Sequence, residues 1–177
     1  RWMDAEGAES QITRLESGPS GVRWAPDGDW IAFTSRVDDK ADFGGVDLPS
    51  RPDGANWTGE PKVVERAGYK RDRTGYIDTG WTHLFVVPAE GGTPRQLTEG
   101  DWNHNGVNWS PDGTEIYFTS FRSDDWDRPD NWQEGEIYAA VVSTGGIHRL
   151  TNRRGPDGQP VPSPDGSLIA YIAGDEH

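Results

Sequence analysis

Asn108-Trp109-Ser110-Pro111-Asp112-Gly113-Thr114-Glu115-Ile116-Tyr117-Phe118 is the stretch that decides the fold. It reads as an apolar strand, a Pro-Asp-Gly turn and a second apolar strand. Proline presets φ at the second turn position, aspartate tolerates the third, and glycine takes the left-handed φ that closes a tight hairpin. The same sentence stands upstream as Arg23-Trp24-Ala25-Pro26-Asp27-Gly28 running into Trp30-Ile31-Ala32-Phe33. It stands downstream as Val161-Pro162-Ser163-Pro164-Asp165-Gly166 running into Leu168-Ile169-Ala170-Tyr171. A hairpin repeated at intervals of tens of residues marks a repeat array, here all-β.

The repeat extends beyond the hairpin. Glu136–Val142 reads as a third strand, Thr144-Gly145-Gly146 as a turn and Ile147–Thr151 as a fourth strand. The same tail occurs earlier as His83–Val87, Glu90-Gly91-Gly92 and Arg95–Thr98. Four short antiparallel strands per unit make the blade of a β-propeller. The interval from Leu97 to Pro111 equals that from Leu150 to Pro164, so two junctions share one register. Pro26 lies much further from Pro111 than Pro111 does from Pro164, and the surplus is an insertion inside the first unit. It falls at about 37–81, rich in Asp, Gly, Pro and Arg, with Trp57, Tyr69, Tyr76 and Trp81 scattered through it and Lys62–Arg66 as a candidate extra strand. Long stretches of this kind are functional, packed against a partner, or ornamental over a sheet edge, and the residues leave these alternatives open.

These signals divide the chain into one partial propeller domain, residues 1–177. Residues 1–16 read as the outer strands of a split blade, with Ile12-Thr13-Arg14-Leu15 as the fourth strand. Residues 22–98 are the first blade with its insertion, 107–151 the second, and 160–173 the inner strands of another split blade. That is about three blades, below the range of about four to eight in closed propellers. The outer pair of one copy and the inner pair of another are complementary, so the expectation is a two-fold homodimer closed by strand exchange into a six-bladed ring without exposed sheet edges.

Composition narrows the partners. The length suits one domain, and 23 Gly, 13 Pro and nine Trp suit many turns between short strands. The formal net charge of −13 argues against nucleic acid or an anionic membrane surface, because phosphate contacts need a basic face. There is no cysteine, hence no disulfide or thiolate chemistry, and the compartment stays open. No apolar run is long enough to insert in a bilayer as a helix.

Catalytic signatures are sparse. The nearest approach to a G-x-S-x-G nucleophile elbow is Gly18-Pro19-Ser20-Gly21, and it fails at Val22. The four histidines, His83, His104, His148 and His177, are dispersed without zinc-like spacing, and His83 and His148 read as polar-face residues of strands. The acidic group Asp124, Asp125, Asp127, Asp130, Glu134 and Glu136 lacks the EF-hand order, so a solvated loop is favoured over calcium. Gly100-Asp101-Trp102-Asn103-His104-Asn105-Gly106 joins one blade to the next and carries donors, acceptors and an aromatic ring. Blade-bridging hydrogen bonds and ligand contact both account for it. The candidate ligand- or partner-facing residues are therefore Asp101, Trp102, His104, Arg122, Asp124 and Trp126, toward a peptide or protein partner. No catalytic, cofactor-binding or metal-binding residue is expected.

The phrases "RWAPDGDWIAFTSR", "HLFVVPAEGGTPRQLTEGDWNHNGVNWSPDGTEIYFTSFR" and "EIYAAVVSTGGIHRLTNRRGPDGQPVPSPDGSLIAYIAG" resemble TolB-like (WD40-like) propeller repeats. More closely, they are similar to the N-terminal propeller of the prolyl oligopeptidase family, in its dipeptidyl aminopeptidase and acylaminoacyl peptidase branch. "PKVVERAGYKRDRTGYIDTGWTHLFVV" is similar to the segment that precedes the third strand in that branch. The resemblance implies a propeller that caps a separate α/β-hydrolase domain, filters substrates by size and shapes the active-site cavity. The family's catalytic triad belongs to the hydrolase domain, so no catalytic residue carries over. The expected function is the non-catalytic, substrate-gating portion of a serine peptidase; the alternative is a TolB-like protein-interaction module with no enzyme attached.

Overall fold

A computed structural model of the chain describes residues 2–3, 6–38, 50, 52–56, 64, 69–73, 75–77, 80–122 and 135–175. Among these residues the protein is all-β, a propeller segment of stacked antiparallel sheets with no helix. The chain divides into two compact units, one formed by Arg1–Val37 with Trp81–His177 and the other by Asp38–Gly80.

In the larger unit, β1 (Trp2–Met3) pairs with β2 (Glu9–Ser10). The first four-stranded sheet follows as β3 (Ser20–Trp24), β4 (Trp30–Val37), β7 (Trp81–Pro88) and β8 (Arg95–Gln96), paired in that order. The second repeats it with β9 (His104–Trp109), β10 (Glu115–Ser120), β11 (Glu136–Val141) and β12 (Ile147–Arg149). β13 (Asp157–Pro162) and β14 (Ile169–Ala173) form a final pair. The outermost strands are shorter than the sequence pattern suggests. At the start of the chain the strand is Glu9–Ser10, and Ile12 lies beyond it, packed down into the core. The smaller unit contains a hairpin, β5 (Lys70–Arg71) with β6 (Gly75–Tyr76). In it the rings of Tyr69 and Tyr76 lie 6.0 Å apart. Of the expected Lys62–Arg66 strand, all but Val64 lies outside the described residues.

Each turn closes as its residues dictate. Gly28, Gly113 and Gly166 have φ of 82°, 73° and 73°. Their amides donate to the carbonyls of Ala25, Ser110 and Ser163 at 2.9–3.0 Å. Asp112 and Asp165 accept from the amides of Thr114 and Ser167 and from the hydroxyls of Ser110 and Ser163. The serine hydroxyl is the leading cause that holds both carboxyls below their ordinary range, Asp165 at about 2. The turns also stack: a Cβ on Gly113 would lie 3.7 Å from the Pro26 ring, and one on Gly166 would lie 3.7 Å from the Pro111 ring.

The middle strands are buried on both faces, because each sheet is sandwiched between neighbours. One face of the first sheet, with Ala32, Leu84 and Val86, packs against Val107, Trp109, Ile116, Phe118, Tyr138 and Ala140 of the second. Its opposite face, with Ile31, Phe33, Phe85 and Val87, is covered by Ile12 and Leu15. Fully burying such a side chain contributes about 1.5–3 kcal/mol. Gly91 is needed at this cover, since a Cβ there would sit 2.9 Å from the Ile12 carbonyl oxygen.

Polar contacts stitch the innermost strands together. Trp109 Nε1 donates to the Arg23 carbonyl at 3.1 Å, Arg23 Nε to Asn108 Oδ1 at 3.3 Å, and Asn108 Nδ2 to the Pro160 carbonyl at 2.7 Å. A Gly113→Val variant meets left-handed strain, since φ there is 73°. It should lower stability by roughly 1 kcal/mol or more in urea unfolding, with the fold retained by circular dichroism.

Candidate functional site

At the end of the strands opposite the Pro-Asp-Gly turns, the repeat places a row of buried polar side chains. Strand β7 cannot continue its ladder onto β8 there, so a threonine hydroxyl substitutes. Thr98 Oγ1 accepts from the Leu84 amide at 2.9 Å, and one repeat later Thr151 Oγ1 accepts from the Ile137 amide at 2.9 Å. Each threonine also holds the residue before that amide. Thr98 meets His83 Nδ1 at 3.2 Å, and Thr151 donates to the Glu136 carboxylate. His83 and Glu136 are thus equivalents, separated by the same interval as Pro111 and Pro164. So are His104 and Asp157, at the starts of β9 and β13.

The seam between the two four-stranded sheets therefore carries imidazoles. His83 and His104 are both buried, with ring centroids 5.5 Å apart, and the Phe118 ring meets His104 edge-on at 5.3 Å. This corrects the expectation that His83 lies on a polar face; His148, by contrast, is half-exposed and lies 3.6 Å from Glu115. Among the described residues neither ring nitrogen of His104 has a hydrogen-bond partner. Burial first, then the nearby His83 and Arg122, hold its pKa at about 3. In the next seam the fully buried Asp157 pairs with Arg153 at 3.0 Å, and Arg153 reaches Asp175 at 2.6 Å.

Of the six residues singled out from the sequence, the structure describes Asp101, Trp102, His104 and Arg122. Asp101 is exposed, and Trp102 is half-buried against Gly100, where a Cβ would lie 2.8 Å from its Nε1. Arg122 anchors the exit of β10: its Nη2 donates to the Glu99 carbonyl at 3.3 Å, and its own carbonyl accepts from the Tyr138 hydroxyl at 3.1 Å. His104 has no exposed surface and lies beside His83 in the seam. Asp124 and Trp126 lie outside the described residues, as does the acidic group apart from Glu136. The sequence reading missed His83, Ser120, Glu136 and Asp157 as members of the row; the signal was the register between the last two repeats, applied to polar as well as apolar positions.

The row is polar and buried. His104 and Ser120 sit opposite each other across β9 and β10, which brings a hydroxyl and an imidazole together. Among the described residues Ser120 Oγ nevertheless has no hydrogen-bond partner, and both residues are fully buried. A serine nucleophile needs its base within hydrogen-bond reach and access to substrate. Among the described residues no three His, Cys, Asp or Glu side chains come together in a metal-binding set.

The neutral state of His104 has a measurable consequence. Between its folded pKa of about 3 and the unfolded value of 6.5, the unfolded chain binds more protons. Its contribution to stability is therefore full above 6.5 and declines as pH falls, with a slope of up to about 1.4 kcal/mol per pH unit. A His104→Leu variant lacks this slope. Paired urea titrations from pH 7 down to pH 5 should show the variant gaining on the parent chain as pH falls; parallel curves would refute the assignment.

Comparison with known proteins places this geometry in context. Residues 54–171 match the family described as the dipeptidyl peptidase IV (DPP IV) N-terminal region. The chain is 28% identical over 130 residues to the uncharacterized peptidase YuxL of Bacillus subtilis, a match covering 72% of this chain and 19% of that protein. The fold is shared with TolB from Acinetobacter baumannii, with a TM-score of 0.53 and 18% identity over 96% of this chain and 30% of TolB. It is also shared with Pyrococcus horikoshii acylaminoacyl peptidase, with a TM-score of 0.60 and 13% identity over 96% of this chain and 23% of that one.

Proposed function

Because the chain belongs to the dipeptidyl peptidase IV N-terminal-region family, we propose that it is the non-catalytic propeller portion of a serine peptidase, serving as substrate gate and scaffold. The observation that carries this reading is the family match itself. It runs from the insertion through β7, β8 and the second four-stranded sheet into β14. The chain spans about a fifth of the length of its peptidase relative, 19%, which leaves ample room there for a separate hydrolase domain.

The physics of the stack suits a gate. Middle strands buried on both faces are close-packed and resist deformation, so openings framed by such sheets keep their size. Selection by size requires that property. The connection at exposed Asp101 and half-buried Trp102 supplies polar and aromatic contact for a peptide. The buried row beneath it holds β9 in position.

Two measurements test the proposal. The purified chain should leave aminoacyl and acyl-aminoacyl chromogenic peptides unhydrolysed, and serine-dependent turnover blocked by an active-site phosphonate would overturn it. The coding sequence around this segment should encode a G-x-S-x-G elbow followed by Asp and His. A reading frame with propeller repeats alone would favour an interaction module instead.

A further inference from the structure

The insertion between β4 and β7 carries a cationic hairpin in an acidic chain. Lys70, Arg71 and Arg73 stand within four residues, against Asp72 alone, in a protein whose formal net charge is −13. The hairpin takes no part in the ladders of the stacked sheets, because β5 and β6 pair with each other and with no other strand described. Blade packing therefore does not account for its composition.

Its local structure displays these side chains. The register sets Lys70 opposite Tyr76 and Arg71 opposite Gly75, and the Ile77 amide extends the pairing by donating to the Tyr69 carbonyl at 2.9 Å. Arg73 at φ 65° and Gly75 at φ 83° turn the chain between the strands. A left-handed φ is uncommon for arginine, so the cation at the tip is held there at a conformational cost. Tyr69, Lys70, Arg73, Tyr76 and Ile77 are all exposed, the two tyrosines by 44% and 50%. Their rings lie 6.0 Å apart, and Lys70 Nζ stands 5.7 Å from the centre of the Tyr76 ring. Aromatic faces and cationic heads thus share one small surface.

We propose that this hairpin binds an acidic peptide segment in which carboxylates alternate with apolar or aromatic side chains. The carboxylates meet Lys70 and Arg73, and the side chains between them lie against the rings of Tyr69 and Tyr76. Charge complementarity selects a carboxylate ligand. Size selects a peptide, since a stable interface between folded proteins takes about 20–30 residues a side, and the hairpin displays a handful. A phosphate polyanion fits poorly, because it needs a broad basic face and this chain is acidic around Asp72 and beyond. Binding here stands apart from the gate reading and does not depend on it.

Fluorescence anisotropy of a dye-labelled acetyl-Glu-Phe-Glu-Leu-Glu-amide probe, titrated with the purified chain, tests the proposal. Exposed charge contacts are individually weak and screened by salt, so the dissociation constant should be on the order of 1 mM or below at low salt and rise several-fold with added sodium chloride. The same probe with lysine in place of each glutamate should not bind. Lys70→Glu combined with Arg73→Glu, both at exposed positions, should weaken binding at least tenfold with the β-sheet signal unchanged. The charge-conserving pair Lys70→Arg and Arg73→Lys should retain it, which separates lost charge from lost fold. No saturable binding would overturn the proposal, as would equal binding of the lysine probe or affinity indifferent to charge reversal. Self-association of the chain that charge reversal abolishes would assign the hairpin to a second copy instead and overturn it too. Peptidase turnover by the chain bears on the gate reading alone and leaves this result standing.

Discussion

Face-to-face packing between successive sheets is the constraint from which the rest of this structure follows. A sheet that is solvated on one side can alternate polar and apolar residues, but Ile31–Ser35 and Ile116–Ser120 are buried without a break. Such strands need cover on each face, which for β4 is the next sheet on one side and Ile12 with Leu15 on the other. The consequence appears at every level. Turn prolines cap the next turn, the Trp109 indole bonds a neighbour's carbonyl, and Ile12 is recruited to cover a face that would otherwise be wet.

Much of this was legible in the residues. The Pro-Asp-Gly turns fix hairpins because only a narrow set of dihedrals suits that triplet, and all three glycines adopt the left-handed φ it requires. The apolar runs located the middle strands. Outer strands were harder: Ile12–Leu15 looks like a strand by its side chains, yet the ladder runs at Glu9–Ser10 and Ile12 serves as a plug. Edge strands make few cross-strand contacts, so burial of one large residue outweighs ladder geometry there. The burial of individual candidate residues was less legible. Asp101 lies at the surface as a polar loop residue should, while His104 turned inward because its neighbour in space, His83, belongs to the preceding sheet and is distant in sequence.

The buried polar row departs from the apolar packing of the stack. Its members are held in different ways. Thr98 and Thr151 bond backbone amides, Asp157 is neutralised by Arg153, and His104 stays neutral through desolvation. Uncompensated polar burial costs on the order of 1–3 kcal/mol per group, so the row is tolerated only where the aromatic edge of Phe118 and the fixed strand ends leave no route for rearrangement.

The paired threonines have a meaning for the history of the fold. Because Thr98 and Thr151 take over the hydrogen bond that the neighbouring strand would have given, the side chain beside them carries no share of the backbone ladder. That position holds histidine in one blade and glutamate in the next at the same depth. Duplicated repeats can therefore drift apart in charge, blade by blade, while the geometry that stacks them is inherited unchanged.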